Sequence, residues 1–232
     1  MTRVANSGAT SRRIRASRSK EFEAWDDWYA RRDYRQMPWY SPRPSPWLVR
    51  AVRDGWIPRG ISILDVGCGS GSNTIWLSSQ GFRSVGVDIS PTVIEVATAR
   101  AQKAGVTAEF RTANAAALPF RTGSFGAALD TGCFHSLPIR LRPRYAREIA
   151  RVIGTASPFL LTWIPREVRS SVGPPHRPAL AEVASVFEPW FLFDRVERHE
   201  SGSRQGWKVS GESYARCTAL LVRRRGRQPS LR

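Results

Sequence analysis

The stretch Ile61-Ser62-Ile63-Leu64-Asp65-Val66-Gly67-Cys68-Gly69-Ser70-Gly71 constrains the rest of the chain more than any other. An apolar run of strand length enters a loop with glycine at every second position, and a helical pattern follows from Asn73. Glycine reaches backbone angles that other residues avoid and presents no Cβ to a ligand. The chain can therefore turn sharply and let a flat molecule pass close to its backbone, with the free N–H groups of the next helix aimed at it. A dinucleotide fingerprint needs its third glycine at position 72, which is Ser72, and no Gly-Lys-Ser/Thr follows as in a phosphate loop. Asp65, two positions before the first glycine, would repel a pyrophosphate and suits a cationic ligand.

A second acid supports this. Ser84-Val85-Gly86-Val87-Asp88 reads as the next strand, with Asp88 about twenty residues past the glycines, where an acid accepts hydrogen bonds from ribose hydroxyls. Together, the loop, Asp65 and Asp88 resemble the first motifs of the class I S-adenosylmethionine-dependent methyltransferases. That resemblance implies S-adenosylmethionine as cofactor, with Asp65, Gly67, Cys68, Gly69 and Gly71 around its amino-acid part, Asp88 on the ribose and Ile89 against the adenine.

Ala113-Asn114-Ala115-Ala116-Ala117-Leu118-Pro119-Phe120 resembles the same family's third motif, with Asn114 in place of an acid. An asparagine oxygen can accept from the adenine amino group and its NH₂ can donate; a loop-capping role is the other reading. Asn114 and Ala115 are thus expected at the adenine. Gly123 to Asp130 reads as a turn and fourth strand, which places Asp130, Thr131, Cys133, Phe134 and His135 outside a strand end, where ligands sit in doubly wound sheets. Asp130 and Thr131 are expected at the cofactor, Cys133, Phe134, Trp163 and His176 around the acceptor. His135 is the candidate base, since an imidazole can remove a proton near neutral pH; a ring bonded to the backbone is the alternative. No metal ligands are expected.

The chain in order predicts a helix over Lys20–Asp33 with Phe22, Trp25, Trp28 and Tyr29 at helical spacing. A proline-rich path follows through Trp39, Tyr40, Arg43 and Trp47, and Ser45-Pro46 opens a helix to about Asp54. Trp25, Trp28 and Trp47 are expected to cover the main domain. Trp39, Tyr40 and Arg43 form a lid, with Trp39 and Arg43 reaching the cofactor's sulfonium and carboxylate and Tyr40 the acceptor. Further on, Ile75, Trp76 and Leu77 line the buried side of a helix ending near Gly81. Val93, Val96, Ala97 and Ala101 do the same after Ser90-Pro91, and Leu141, Tyr145, Ile149 and Val152 in a later helix. Strands are expected near 108–111, 159–163, 191–198 and 214–222, a helix near 179–187, and an irregular segment over 164–178.

Strands alternating with helices give an α/β fold. The resemblance implies a doubly wound, seven-stranded, mostly parallel sheet with the last strand antiparallel, a Rossmann-like methyltransferase fold with an N-terminal helical lid. The expected organisation is a disordered basic extension over 1–19, the lid over 20–56, the methyltransferase domain over 57–223 and a basic tail over 224–232. The pattern Asp130 to Pro138 and the upstream Pro38-Trp39 and Arg43-Pro44-Ser45-Pro46 are loosely similar to the bacterial thiopurine and tellurite-resistance methyltransferases, with Thr131 where that group often has arginine.

The formal net charge of +17 over 232 residues is concentrated at the ends and carried by arginine, with three lysines in all. Such a balance can serve nucleic acid or anionic membrane, or follow from coding bias. Residues 1–20 read as a disordered bacterial extension or a transit peptide. Three distant cysteines argue for reduced thiols in a cytoplasmic protein. No apolar run reaches membrane-spanning length. The expected activity is methyl transfer to sulfur, oxygen or nitrogen of a small-molecule acceptor by in-line displacement. The alternatives are an RNA methyltransferase using the arginine-rich ends and a non-catalytic S-adenosylmethionine-binding protein. Neither oligomeric state nor acceptor is legible.

Overall fold

A computed structural model describes residues 20–166, 177–199, 208–209, 212–213 and 216–225. The expected extension over 1–19, residues 226–232 of the expected tail, and His176 lie outside the described residues.

Two helices come first, α1 (Lys20–Arg31) and α2 (Pro46–Arg53), and then the strand–helix alternation begins. It runs β1 (Ser62–Val66), α3 (Ser72–Ser79), β2 (Arg83–Asp88), α4 (Pro91–Lys103), β3 (Glu109–Thr112), β4 (Ala127–Asp130), α5 (Arg142–Val152) and β5 (Pro158–Trp163). The chain continues through α6 (Leu180–Phe187), β6 (Phe191–His199), the short pair β7 (Lys208–Val209) and β8 (Glu212–Ser213), and β9 (Arg216–Arg223).

The main sheet has seven strands in the order β3-β2-β1-β4-β5-β9-β6. The pairs from β3 to β5 are parallel, and β9 runs antiparallel between β5 and β6. The chain winds outward from β1 to β2 and β3, then crosses back to β4 on the other side of β1. That reversal leaves a crevice at the carboxyl ends of β1 and β4, where doubly wound sheets bind ligands. Register aligns the strand ends there: Val66 pairs with Val87 on one side and with Asp130 on the other.

Alternation along the strands sends neighbouring residues to opposite faces. Leu64, Val66, Val87 and Ala128 pack with Tyr145, Ile149 and Phe187 in one core layer. Ile63, Leu129 and Leu160 pack with Leu48, Val52 and Leu77 in the other. Both faces are thus covered, which is why β1 reads as an almost unbroken apolar run.

Three details depart from the sequence reading. The buried side of α3 is Asn73, Thr74 and Leu77, with Ile75 and Trp76 only half-buried, because the loop turns the polar residues inward to bond with the strand ends. Val96 is likewise half-buried between the buried Val93 and Ala97. Trp47 does cover the second core layer, but Trp25 and Trp28 pack on Trp39 instead, and Trp28 remains 42% exposed.

Candidate functional site

The glycine loop is stitched to β2 by two bonds, from Gly67 N and Cys68 N to the carbonyl of Val87 at 2.8 and 2.9 Å. Gly67 and Gly71 take φ of 68° and 83°, a region other residues enter rarely. They are also crowded. A Cβ on Gly67 would stand 2.5 Å from Cys133 Cβ, and one on Gly71 would stand 2.8 Å from the Phe110 ring. Replacing Gly67 would displace the loop as well as strain it, and replacing Gly71 would strain the backbone and push the Phe110 ring aside. Cys68 and Cys133 are free thiols whose pKa values burial pushes up, which suits packing more than nucleophilic chemistry.

Asp65 does not stand at the mouth of the loop as an exposed anion. It is fully buried beneath it, where Oδ2 accepts from Thr74 Oγ1 at 2.6 Å and Oδ1 has no hydrogen-bond partner among the described residues. Burial, reinforced by the charges of Asp130 and Asp88, raises its pKa to about 7. Asp88 is half-buried at the end of β2; its Oδ2 accepts from Gly69 N at 3.0 Å and its Oδ1 from Ser90 N at 3.1 Å. Burial raises its pKa too. Ile89 is half-buried beside it. Two crowded carboxylates with raised pKa values, one carrying an orphaned oxygen, are ready to be stabilised by a cation. A donor with an ammonium and a sulfonium fits that requirement.

Across the crevice, Asn114 is exposed and caps its own turn, Oδ1 accepting from Ala116 N at 2.8 Å, while Ala115 is buried. Its oxygen is thus engaged, and the amide NH₂ is the group left to meet a ligand. Asp130 is wholly internal. It accepts from the backbone N–H groups of Gly132, Cys133 and Phe134 at 2.7–2.8 Å and from the Tyr145 hydroxyl at 2.5 Å. The carboxylate shapes the loop after β4 from behind, so only the backbone around it can face a ligand. Its pKa rises to about 6 through burial, less than burial alone would give because all four bonds favour the charged form. Thr131 is half-buried and accepts from Asn73.

Phe134 and Trp163 belong to the first core layer, each fully buried, which removes them from any acceptor pocket. His135 is also buried. Its Nδ1 accepts from Ile164 N at 3.0 Å, so Nε2 carries the hydrogen. Burial, with Arg216, Arg142 and Arg177 adding like charge, pushes its pKa down to about 3. A neutral ring whose basic nitrogen is already bonded cannot serve as a proton acceptor near neutral pH, and the geometry supports the backbone-bonded alternative.

The N-terminal segment lies over the glycine loop. Asp26 accepts from Ser90 Oγ at 2.6 Å and from Thr92 N at 3.1 Å, which pins α1 to the start of α4. Tyr29 is set so that its hydroxyl would lie 3.5 Å from a Cβ on Gly69, and the Asp88 charge acts with burial to raise its pKa. Trp39 donates from Nε1 to that hydroxyl at 2.9 Å. Tyr40 is edge-on to Tyr34 at 5.2 Å, and Arg43 is exposed. Sequence reasoning missed Tyr29, Asn73 and Arg100 as site residues. Tyr29 was hidden among aromatics at helical spacing, and Asn73 sat in a helix read by its apolar neighbours.

Residues 63–155 match the family described as a methyltransferase domain. The chain is 28% identical over 162 residues to the 2-heptyl-1-hydroxyquinolin-4(1H)-one methyltransferase of Mycobacteroides abscessus, covering 68% of this chain and 70% of that one. It is 22% identical over 193 residues to the thiopurine S-methyltransferase of Psychrobacter cryohalolentis, covering 73% and 87%. In fold it is similar to a chain solved in work on conversion of a disulfide bond into a thioacetal group during echinomycin biosynthesis, with a TM-score of 0.74, 21% identity and coverage of 88% and 93%. Magnesium protoporphyrin IX methyltransferase from Synechocystis, solved with bound SAM, gives a TM-score of 0.66 at 17% identity, covering 89% and 99%. Fold, glycine loop and the match over residues 63–155 are those of S-adenosylmethionine-dependent methyltransferases and support that activity. The relatives above include methyltransferases named for small molecules.

Proposed function

We propose that this enzyme methylates a sulfur or an acidic hydroxyl of a small-molecule acceptor that ionises without help from the protein. The observation that carries the proposal is the engaged Nδ1 of His135. In this reading His135 takes no proton from the acceptor, which brings its own nucleophilic form. A thiol, with a pKa near about 8.5, already holds a useful fraction of thiolate at neutral pH. An ordinary alcohol would need a base. The relatives named for a 1-hydroxyquinolinone and for thiopurines are consistent with acceptors of this kind.

In this reading Asp65, Gly67, Gly69 and Asp88 hold S-adenosylmethionine, with Ile89, Asn114 and Ala115 along its base. The bound donor supplies a methyl group made electrophilic by positive sulfur. The protein contributes alignment and exclusion of water. Asp65 and Asp88 supply negative charge, Tyr29 and Trp39 cover the loop, and Thr131 and Cys133 border the acceptor side. Asp130 and His135 hold the loop after β4 in shape. No helix among the described residues is long and apolar enough to cross a membrane, and reduced cysteines fit a cytoplasmic enzyme.

The arginine-rich ends leave an RNA methyltransferase as a second reading, and binding without turnover as a third. A screen of thiols, N-hydroxy heterocycles, phenols, amines and RNA for transfer of labelled methyl groups separates these. Product from a thiol or N-hydroxy acceptor supports the proposal; transfer to RNA alone, to amines alone, or to nothing overturns it.

A further inference from the structure

We propose that Arg100 is the latch joining the glycine loop to the aromatic strap over residues 34–41, and that it sets how fast the methyl donor and its demethylated product leave. The inference rests on the reading that the donor occupies the glycine loop.

Arg100 projects from α4, two turns beyond the site edge, and reaches both segments at once. Its Nη1 donates to the carbonyl of Ser70, to Ser70 Oγ at 2.9 Å and to Ser72 Oγ at 3.1 Å. Ser72 passes the contact on, its hydroxyl donating to the carbonyl of Ser41 at 2.5 Å. The same guanidinium stands 5.6 Å from the Tyr34 ring centroid and 5.5 Å from that of Tyr40. One cation therefore bonds the loop through its edge and attracts two strap rings through their π systems. A lysine could supply the charge but neither the planar face nor the spread of donors.

The position matters because the strap covers the loop. The Tyr29 hydroxyl lies beside Gly69 and is held there by Trp39 Nε1, so lifting this segment would uncover the glycine loop. Its two ends have other anchors: Asp26 at the start of α4, and Ser45, whose N–H donates to Asn73 Oδ1 at 2.7 Å. Between them, Met37 is buried and Trp39 packs on α1, while Arg100 and Ser72 bond the stretch to the glycine loop. Lid opening and product release limit turnover in many enzymes, and segments held by few contacts are the ones that open locally.

The test is the release rate of S-adenosylhomocysteine from the full chain, followed by tryptophan fluorescence in stopped flow, with trypsin cleavage after Arg35 as a second readout of the strap. Arg100→Met should release the product about tenfold faster, a loss in line with one charged bond network and two ring contacts. Arg100→Lys should fall between it and the parent. Tyr34→Leu/Tyr40→Leu, which leaves the glycine loop intact, should also speed both release and cleavage. Release from the tyrosine variant at the parent rate would overturn the proposal, since Arg100 would then act on the loop alone. If Arg100→Met does not fold, the tyrosine variant decides. A parent protein that binds no S-adenosylhomocysteine refutes the donor site itself, and faster cleavage of the ligand-free variants still tests the latch.

Discussion

Asn73 donates from Nδ2 to Thr131 Oγ1 at 2.9 Å while its Oδ1 accepts from Ser45 N. One side chain at the start of α3 thus ties the strap to the loop after β4, the two borders of the acceptor side. Asn73→Leu should lower kcat/KM at least tenfold in steady-state assays, whereas Asn73→Asp, which keeps the acceptor for Ser45, should retain most activity. Equal losses in both variants would mean that the bridge to Ser45 is unimportant. The Leu variant also leaves a buried N–H unsatisfied, at a cost of about 1–3 kcal/mol.

Donor binding should tighten as pH rises through about 7. Asp65 has a raised pKa of about 7 without a cation beside it, and a bound cation favours its charged form. Below that pH, binding must expel a proton and is weakened accordingly; above it, the carboxylate is already charged. Calorimetry at pH 6 and 8, in buffers of different ionisation enthalpy, should show proton release on binding at pH 6 and tighter binding at pH 8. In the ligand-free protein the same shift works against stability. A carboxylate whose folded pKa lies above its unfolded value loses stability as pH climbs from about 4 to about 7. Asp65→Asn should therefore raise the melting temperature at pH 8, leave it little changed at pH 4, and impair donor binding.

His135 should prove dispensable as a base. With its pKa pushed down to about 3 and Nδ1 bonded to Ile164, it has no proton-accepting role near neutrality. His135→Gln can keep an acceptor near the Ile164 N–H. It should retain the shape of the pH–rate profile and lose less than about tenfold in kcat. A loss of about 10²–10⁴, the usual contribution of general base catalysis, together with a vanished acidic limb, would restore the catalytic assignment.

Asp130 should matter for stability more than for donor affinity. Its carboxylate accepts three backbone N–H bonds and the Tyr145 hydroxyl inside the protein. Asp130→Ala would orphan those donors and should destabilise the chain by about 3–5 kcal/mol in denaturant titration. A change below about 1 kcal/mol would show that the loop finds other acceptors.

The individual strands and helices and the glycine loop were legible because they rest on local rules: alternation, strand-length apolar runs and glycine spacing. The seven-stranded sheet was implied only by the family resemblance, and its strand order depends on long-range pairing that local rules do not reach. Side-chain direction was also less legible. Asp65, Asp130, Phe134 and Trp163 all lie where the strand pattern predicts, but the sequence does not say which face of the turn each side chain takes. All four turn inward. Ligand-facing and core-facing residues alternate over one or two positions at a strand end, and a single extra turn residue exchanges them. Arg100 and Asn73 were invisible for a different reason. Their roles depend on the strap returning across the loop, a contact between residues 28 or more positions apart, and no local pattern records it.

The most direct test of the account is calorimetric titration of the full chain with S-adenosylhomocysteine, alongside Asp88→Ala. The account predicts saturable binding at one site per chain, weakened at least tenfold in the variant because its ribose acceptor is gone. No heat and no thermal shift with the parent protein, or equal binding by the variant, would contradict it.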